Sequence, residues 1–149
     1  MGNQIRERIR GAAPADLDAL HELLDSVKLP KAGVSDHLHN FLVLGREAEI
    51  VGCVGLELYG SKALLRSLAI SKSLQRSGLG SLLYGSAIEH AKKHRIDEVY
   101  LLTETAEAFF AARGFEVISR DLVDNAVKNS IEFRSACPQT ATCMSLTLH

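Results

Sequence analysis

The residues whose types and spacing best suit chemistry lie in one run, Gln75-Arg76-Ser77-Gly78-Leu79-Gly80-Ser81. It follows an apolar strand pattern ending Leu68-Ala69-Ile70 and opens a long helical pattern. Glycines at 78 and 80 let the backbone approach a ligand closely, and the first turn of a helix offers N–H groups that no intrahelical carbonyl can use. With the positive end of the helix dipole behind them, such groups form a nest for a diphosphate, and Arg76 adds a charge-assisted bond from the rim. The same residues also read as a plain glycine turn capping a helix. Two other phosphate motifs are excluded, because position 83 is Leu where G-x-G-x-x-G needs glycine and no G-K-[ST] follows.

A second set of residues stands out because charge interrupts apolar strands. Arg66 divides Ala63-Leu64-Leu65 from Leu68-Ala69-Ile70, and Glu57 lies within the run Val51 to Tyr59. A buried guanidinium needs an acid, which is either Glu57 in a structural pair or the carboxylate of a substrate held by a two-pronged contact. Glu57 also reads as an ordinary polar-face residue. Glu104 follows the strand ending at Leu102, where it suits a helix cap as well as a site. His37 and His39 occupy a polar loop, as solvated side chains or as contacts to an acceptor, and two such histidines without a third ligand make a poor metal site. Cys53, Cys137 and Cys143 are an odd number of cysteines, and Pro138 stands between the last two, so reduced thiols and no metal are expected.

The elements that must position these residues are legible in the periodicity. Ile5 to Arg10 suits a first strand. Pro14 opens a helix whose stripe is Leu17, Leu20, Leu24 and Val27, with Asp16, Asp18, Glu22 and Asp25 turned to water. The run Leu29-Pro30-Lys31-Ala32-Gly33-Val34 breaks that helix. Strand patterns at Phe41-Leu42-Val43-Leu44, Ile50 to Tyr59 and Ala63 to Ile70, with short turns between them, predict an antiparallel meander. Leu79, Leu82, Leu83, Ala87, Ile88 and Ala91 predict a helix, and Val99-Tyr100-Leu101-Leu102 a buried strand. A helix over Glu104 to Ala112 stopped by Gly114, a strand at Phe115 to Ile118, a polar turn at Asn125 to Ser130 and a last strand at Thr142 to Leu148 complete the reading.

The 149 residues, with 46% hydrophobic and 23% charged, predict one globular domain over 1–149. A net charge of −1 and a pI near 6.6 supply no general field for nucleic acid or an anionic membrane, so anions must be held locally. The N-terminal residues lack the apolar stretch of a signal peptide, and no apolar run approaches a membrane span, so a cytoplasmic location is expected.

At Gln75-x-x-Gly78-x-Gly80 the sequence resembles the GNAT superfamily of N-acetyltransferases, whose hallmark is Q/R-x-x-G-x-G/A at a strand-to-helix turn. A second feature of that family, an alanine, an aromatic pair and G-F, is matched by Ala106-x-x-Phe109-Phe110-x-x-x-Gly114-Phe115. The resemblance implies an α/β (α+β) fold, with a mixed, mostly antiparallel sheet of six to seven strands flanked by about four helices. It implies that the backbone of positions 75–81 binds the pyrophosphate of acetyl-coenzyme A, that Leu68-Ala69-Ile70 pairs with the pantetheine arm, and that Phe109 and Phe110 pack beneath it. Leu64-Leu65-Arg66-Ser67-Leu68-Ala69, Leu102-Thr103-Glu104-Thr105-Ala106 and the tail Glu132-Phe133 with Cys137-Pro138 look like the arsenic-resistance branch, which is similar to short amino-acid N-acetyltransferases.

That resemblance assigns expected roles. A backbone N–H near Ile70 polarises the thioester carbonyl. Glu57 is the first choice for the base, since a carboxylate on a half-buried strand tends toward a raised pKa, and Glu104 is the second. Arg66 and His37 are the expected contacts to a small amine acceptor, and Asn125 to Ser130 borders the same pocket. One departure stands out: the aromatic pair commonly ends in tyrosine, whose hydroxyl protonates the departing thiolate, whereas position 110 is Phe. Tyr84, Tyr100, water or unaided departure are the alternatives. The rival readings are a non-catalytic acyl-coenzyme A sensor and an acetyltransferase for protein N-termini or lysines. A homodimer formed through the last strand is an open arrangement.

Overall fold

The computed structural model describes residues 7–149. The first strand, β1, spans Glu7–Gly11, so Ile5 and Arg6 of the expected strand lie outside the described residues. Pro14–Asp16 form a single 3-10 turn, tied by the Ala13 N–H donating to Asp16 Oδ2 at 2.7 Å, and α1 therefore begins only at Leu17 and runs to Ser26. Its buried stripe is Leu20, Leu23 and Leu24, with Leu17 and Val27 at the margin. Each fully buried leucine contributes about 1.5–3 kcal/mol, which is what holds so short a helix on the sheet.

The meander follows as β2 (Phe41–Arg46), β3 (Glu49–Tyr59) and β4 (Lys62–Ile70). The strand expected over Phe41 to Leu44 is two residues longer, because Gly45 and Arg46 continue pairing with β3 before the turn at Glu47-Ala48. Then come α2 (Leu79–Lys93), β5 (Glu98–Thr103), α3 (Glu107–Ala111), β6 (Glu116–Val117), α4 (Asn125–Lys128) and β7 (Thr142–Thr147). The sheet has seven strands in the order β1-β2-β3-β4-β5-β7-β6. Every neighbour pair is antiparallel except β4 and β5, which run parallel because α2 carries the chain back between them.

Strand alternation divides the sheet into two covered faces. On one, Leu83, Ala87 and Ala91 of α2 and Phe110 of α3 pack on Leu44, Val54, Leu56, Leu65 and Leu101. On the other, α1 packs on Phe41, Val43, Cys53 and Ala69, while Val123, Val127 and Phe133 pack on Leu64, Tyr100 and Cys143.

Three local predictions are corrected. The helix expected from Glu104 begins at Glu107, because Thr103 Oγ1 accepts the Ala106 N–H at 2.9 Å and draws the intervening residues into a turn. The strand expected over Phe115 to Ile118 shrinks to Glu116–Val117, Phe115 being drawn into the core. The polar turn at Asn125 to Ser130 contains α4, capped by Asp124 Oδ1 accepting the Ala126 N–H at 2.9 Å, and a π-helical turn follows at Glu132–Ala136. Among the described residues no helix is long and apolar enough to cross a membrane.

Candidate active site

The parallel seam between β4 and β5 is short. Lys62, Ala63 and Leu64 pair with Glu98, Val99 and Tyr100, and beyond that point the two strands diverge. A bulge in β4 drives the divergence: Ser67 and Leu68 together oppose Val54, and Ser67 takes a left-handed backbone with φ of 61°. A cleft of about 1380 Å³ opens between the strands, walled by Leu65 to Ile70 on one side and Leu101 to Ala106 on the other. That exceeds the space a single drug-sized ligand needs.

At one end of the cleft lies the turn into α2. Arg76 and Gly78 are left-handed, with φ of 67° and 86°, and a side chain at position 78 is strained there whatever room it finds. Gln75 Nε2 donates to the Ile70 carbonyl at 3.0 Å and the Ser77 hydroxyl donates to the Leu74 carbonyl, so two side chains brace the turn from within. The first intrahelical bond is from the Leu82 N–H to the Gly78 carbonyl at 3.2 Å, which leaves the N–H groups of Leu79, Gly80 and Ser81 outside the helical ladder. Gln75, Arg76, Gly78, Gly80 and Ser81 line the cleft, as do Leu68, Ala69, Ile70, Phe109 and Phe110. Ser77 and Leu79 are not part of this lining, Ser77 being exposed and Leu79 packed on the core.

Arg113, which the sequence reading did not single out, joins this end. Its guanidinium lies 3.6 Å from the Phe109 ring centroid, donates to the Phe109 carbonyl at 2.8 Å and reaches the Ser81 hydroxyl, so it bridges α3 and α2 with its charge at the cleft wall. Its only sequence signal was its place just before Gly114.

The other end is a cluster of buried ions. Arg66 is 3% exposed and Glu57 is fully buried, and Arg66 Nη1 donates to Glu57 Oε2 at 2.8 Å. Arg66 Nε donates to Ser67 Oγ at 3.1 Å and lies 3.4 Å from Glu132 Oε2, while Nη2 donates to the Pro30 carbonyl at 3.3 Å. Of the two partners foreseen for Arg66, the protein's own acids are in place, and Arg66 still lines the cleft. Glu57 Oε1 accepts the Tyr59 hydroxyl and lies 3.4 Å from His37 Nε2. Burial, then the Glu57 carboxylate, pushes the Tyr59 hydroxyl well above its ordinary range, so it remains a donor. Gly33, left-handed at φ of 84°, lets the 30–33 loop close over Arg66, whose Nη1 is 3.0 Å from where a Cβ would stand.

Glu132 is 3% exposed, and burial holds its carboxyl above the usual carboxylate range, opposed by the charge of Arg66 and reinforced by Glu57. Burial, and after it the negative charge of Glu132, pushes the Cys137 thiol up to about 12. Sequence periodicity gave no hint that these two residues are neighbours, because a π turn joins them through the backbone: the Cys137 N–H donates to the Glu132 carbonyl at 3.1 Å. Glu104 is an exposed acid in the cleft wall, whereas His37 and His39, expected in a polar loop, stand in a 3-10 helix over Ser35–Asn40, His39 exposed and His37 half-buried, and neither lines the cleft. Tyr100 is buried toward α4 and Tyr84 packs edge-on against Phe109, so neither is among the lining residues. Phe110 is 5% exposed and packs on Phe109 and Phe115. Among the described residues no group of three His, Cys, Asp or Glu is placed to hold a metal.

Against this geometry, the likenesses to known proteins converge. An uncharacterised N-acetyltransferase of Chlorobaculum tepidum is 23% identical over 148 residues, which covers 94% of this chain and 93% of the relative. An amino-acid acetyltransferase of Neisseria meningitidis is 27% identical over 90 residues, 59% of this chain and 21% of the relative. Among solved structures, N-acetylglutamate synthase from Neisseria gonorrhoeae, complexed with coenzyme A and N-acetyl-glutamate, has the same fold with a TM-score of 0.83 at 20% identity; the match covers 99% of this chain and 36% of the synthase. The chain thus spans about a third of that synthase and about a fifth of the amino-acid acetyltransferase. Residues 6–115 match the acetyltransferase (GNAT) family as a whole, and the chain belongs to that family and is an acyltransferase.

Proposed function

We propose that this protein transfers the acetyl group of acetyl-coenzyme A to the primary amine of a small, carboxylate-bearing acceptor by direct attack in a ternary complex. The observation that carries the reading is the diverging β4–β5 cleft, which has a backbone phosphate nest at one end and a buried ion cluster at the other. The pyrophosphate would take the N–H groups of positions 78–81 with the Arg76 charge beside them, and the pantetheine would lie along Leu68 to Ile70 over Phe109. A β4 N–H near Ile70 then faces the thioester carbonyl in a site with little water.

The acceptor side is the face that carries Arg66 and the loop around Pro30, with His37 set back from it beside Glu57. Arg66 keeps an N–H on each terminal nitrogen beyond the bonds to Glu57 and Pro30, enough to orient an acceptor carboxylate. Glu57 supplies buried negative charge that favours an ammonium group nearby, and Glu104 offers a second carboxylate from the opposite wall. With Phe110 lacking a hydroxyl, the coenzyme thiolate leaves toward solvent. The amino-acid acetyltransferase relatives support an amino acid as acceptor, and the short matches at 64–69, 102–106 and 132–138 support the arsenic-resistance branch within it.

The deciding experiment follows free thiol after mixing the protein with acetyl-coenzyme A and a panel containing glutamate, other amino acids, phosphinothricin and a lysine peptide. Turnover restricted to small acidic amines is expected. Turnover on the peptide alone favours a protein acetyltransferase. Coenzyme binding by calorimetry without any turnover favours a sensor.

A further inference from the structure

Arg113 is a half-buried cation in the cleft wall, and among the described residues no acid is paired with it. Arg10 pairs with Asp16 and Arg66 with Glu57 and Glu132, whereas both hydrogen bonds of Arg113 end on neutral oxygens, the Phe109 carbonyl at 2.8 Å and the Ser81 hydroxyl. A guanidinium has further N–H groups beyond those two. Its conformation is fixed from α3. Gly114, left-handed at φ of 99°, follows the helix, and the Arg113 side chain folds back over the preceding turn to Phe109, with the guanidinium 3.6 Å from that ring's centroid. The place so fixed is the open first turn of α2. Ser81 is among the residues there whose N–H groups lie outside the helical ladder, and a Cβ at Gly80 would stand 4.0 Å from Phe109 Cε1. Gly80, Ser81, Phe109 and Arg113 all line the cleft.

A partly desolvated cation without an internal counterion, set beside unused backbone donors, is an arrangement that an anion completes. Resting on the coenzyme reading above, we infer that Arg113 grips the diphosphate of the cosubstrate from the α3 wall while the α2 amides hold it from the turn. The planar guanidinium offers paired N–H groups that suit phosphate oxygens, and its stacking on Phe109 means that little freedom is lost on binding. Arg76 contributes less, because it is exposed on the rim and its charge is screened by solvent and salt. Arg113 is thereby a specificity-determining residue. A thioester carried on pantetheine alone, with no diphosphate, leaves this cation unanswered, so the site selects a phosphorylated carrier.

The test measures coenzyme A binding by calorimetry, and acetyl transfer to the best amino acid of the panel, for the unaltered protein, Arg113→Met and Arg113→Lys. The thioesters compared are acetyl-coenzyme A, its 3′-dephospho form and S-acetylpantetheine, which has no phosphate. A hydrogen bond to a charged group is worth about 10- to 100-fold in affinity. Arg113→Met should weaken coenzyme A binding and raise KM for both phosphorylated thioesters by that factor, with kcat within about threefold of the parent. On S-acetylpantetheine kcat/KM should stay unchanged. Arg113→Lys, which keeps the charge without the fork, should recover part of the loss, and the gap between Arg113→Met and the parent should narrow as salt is raised. An equal deficit on S-acetylpantetheine means that Arg113 only braces α3 against α2 and overturns the inference, as does no deficit on any thioester. A deficit confined to the 3′-phosphorylated form moves the contact off the diphosphate and overturns it too. If S-acetylpantetheine reacts too slowly to follow, a gap indifferent to salt is the overturning result. Failure of the unaltered protein to bind coenzyme A removes the coenzyme reading itself. Binding without turnover removes acetyl transfer alone and leaves calorimetry to decide the role of Arg113.

Discussion

The two ends of the cleft are built on opposite principles. The proposed cofactor end is a contiguous run of backbone, positions 75–81, whose donors are exposed by the plain geometry of a helix start. The proposed acceptor end is made of the Pro30 carbonyl and of side chains from the 3-10 helix at Ser35–Asn40, β3, β4 and the π turn, segments far apart in sequence, held by buried charge. The first has little stability at stake and depends on conformation. The second is energetically taut, because each buried ion relies on its neighbours. Perturbations at the two ends should therefore fail differently, one in binding and the other in folding.

The largest effect is expected at Arg66. Replacing it by Met leaves Glu57 and Glu132 buried without their cation, and unfolding in denaturant should show a loss of about 3–5 kcal/mol. Adding Glu57→Gln to that variant should recover part of the loss, a coupling that independent sites would not show. At the other end, Gly78→Ala forces an L-residue into a left-handed backbone, at a cost of about 1–2 kcal/mol. Calorimetry should register this as roughly tenfold weaker acetyl-coenzyme A binding, with smaller change in the unfolding midpoint than Arg66→Met gives.

The smallest effect belongs to an exposed pair that serves as a control for the buried one. Asp16 accepts from Arg10 Nη1 at 2.7 Å and from the Ala13 N–H, and the Arg10 hydrogen bond, chiefly, holds its carboxyl below the usual range. A depressed value means stability that is present above the ordinary aspartate pKa and disappears as pH falls through the lowered one. Since Arg10 is half exposed, the contribution should stay under about 1 kcal/mol, and unfolding measured across acidic pH should show Asp16→Asn flattening that small slope.

Legibility in the sequence divides along the same line. Hydrophobic periodicity revealed the meander, α2 and β5 because each buries a regular stripe, and the glycine turn was visible because its parts are neighbours. The bulge at Ser67 left no such mark, being set by mismatch between β3 and β4 and not by any residue preference. Glu104 was placed inside a helix because periodicity does not register the local bond from the Ala106 N–H to the Thr103 hydroxyl, which delays α3. Arg66 and Glu57 were conspicuous as charges in apolar strands, yet the contact of Glu132 with Arg66 joins positions that no periodicity connects. Cys137 looked like a spare thiol, and only the π turn ties its backbone to Glu132 and brings it to the cleft wall.

The bulge in β4 has a mechanical consequence. Two half-sheets, one of four strands and one of three, are joined by a ladder of only three residue rungs, and from Leu65 onward the inner margins of both lie unzipped. An extended molecule threaded there would act as a borrowed eighth strand, so occupancy should clamp the halves together and slow hydrogen exchange at amides of Leu65 to Ile70 far from any phosphate. Release of the spent cosubstrate would then mean peeling a strand out of a sheet, a slow step written into the architecture before any chemistry begins.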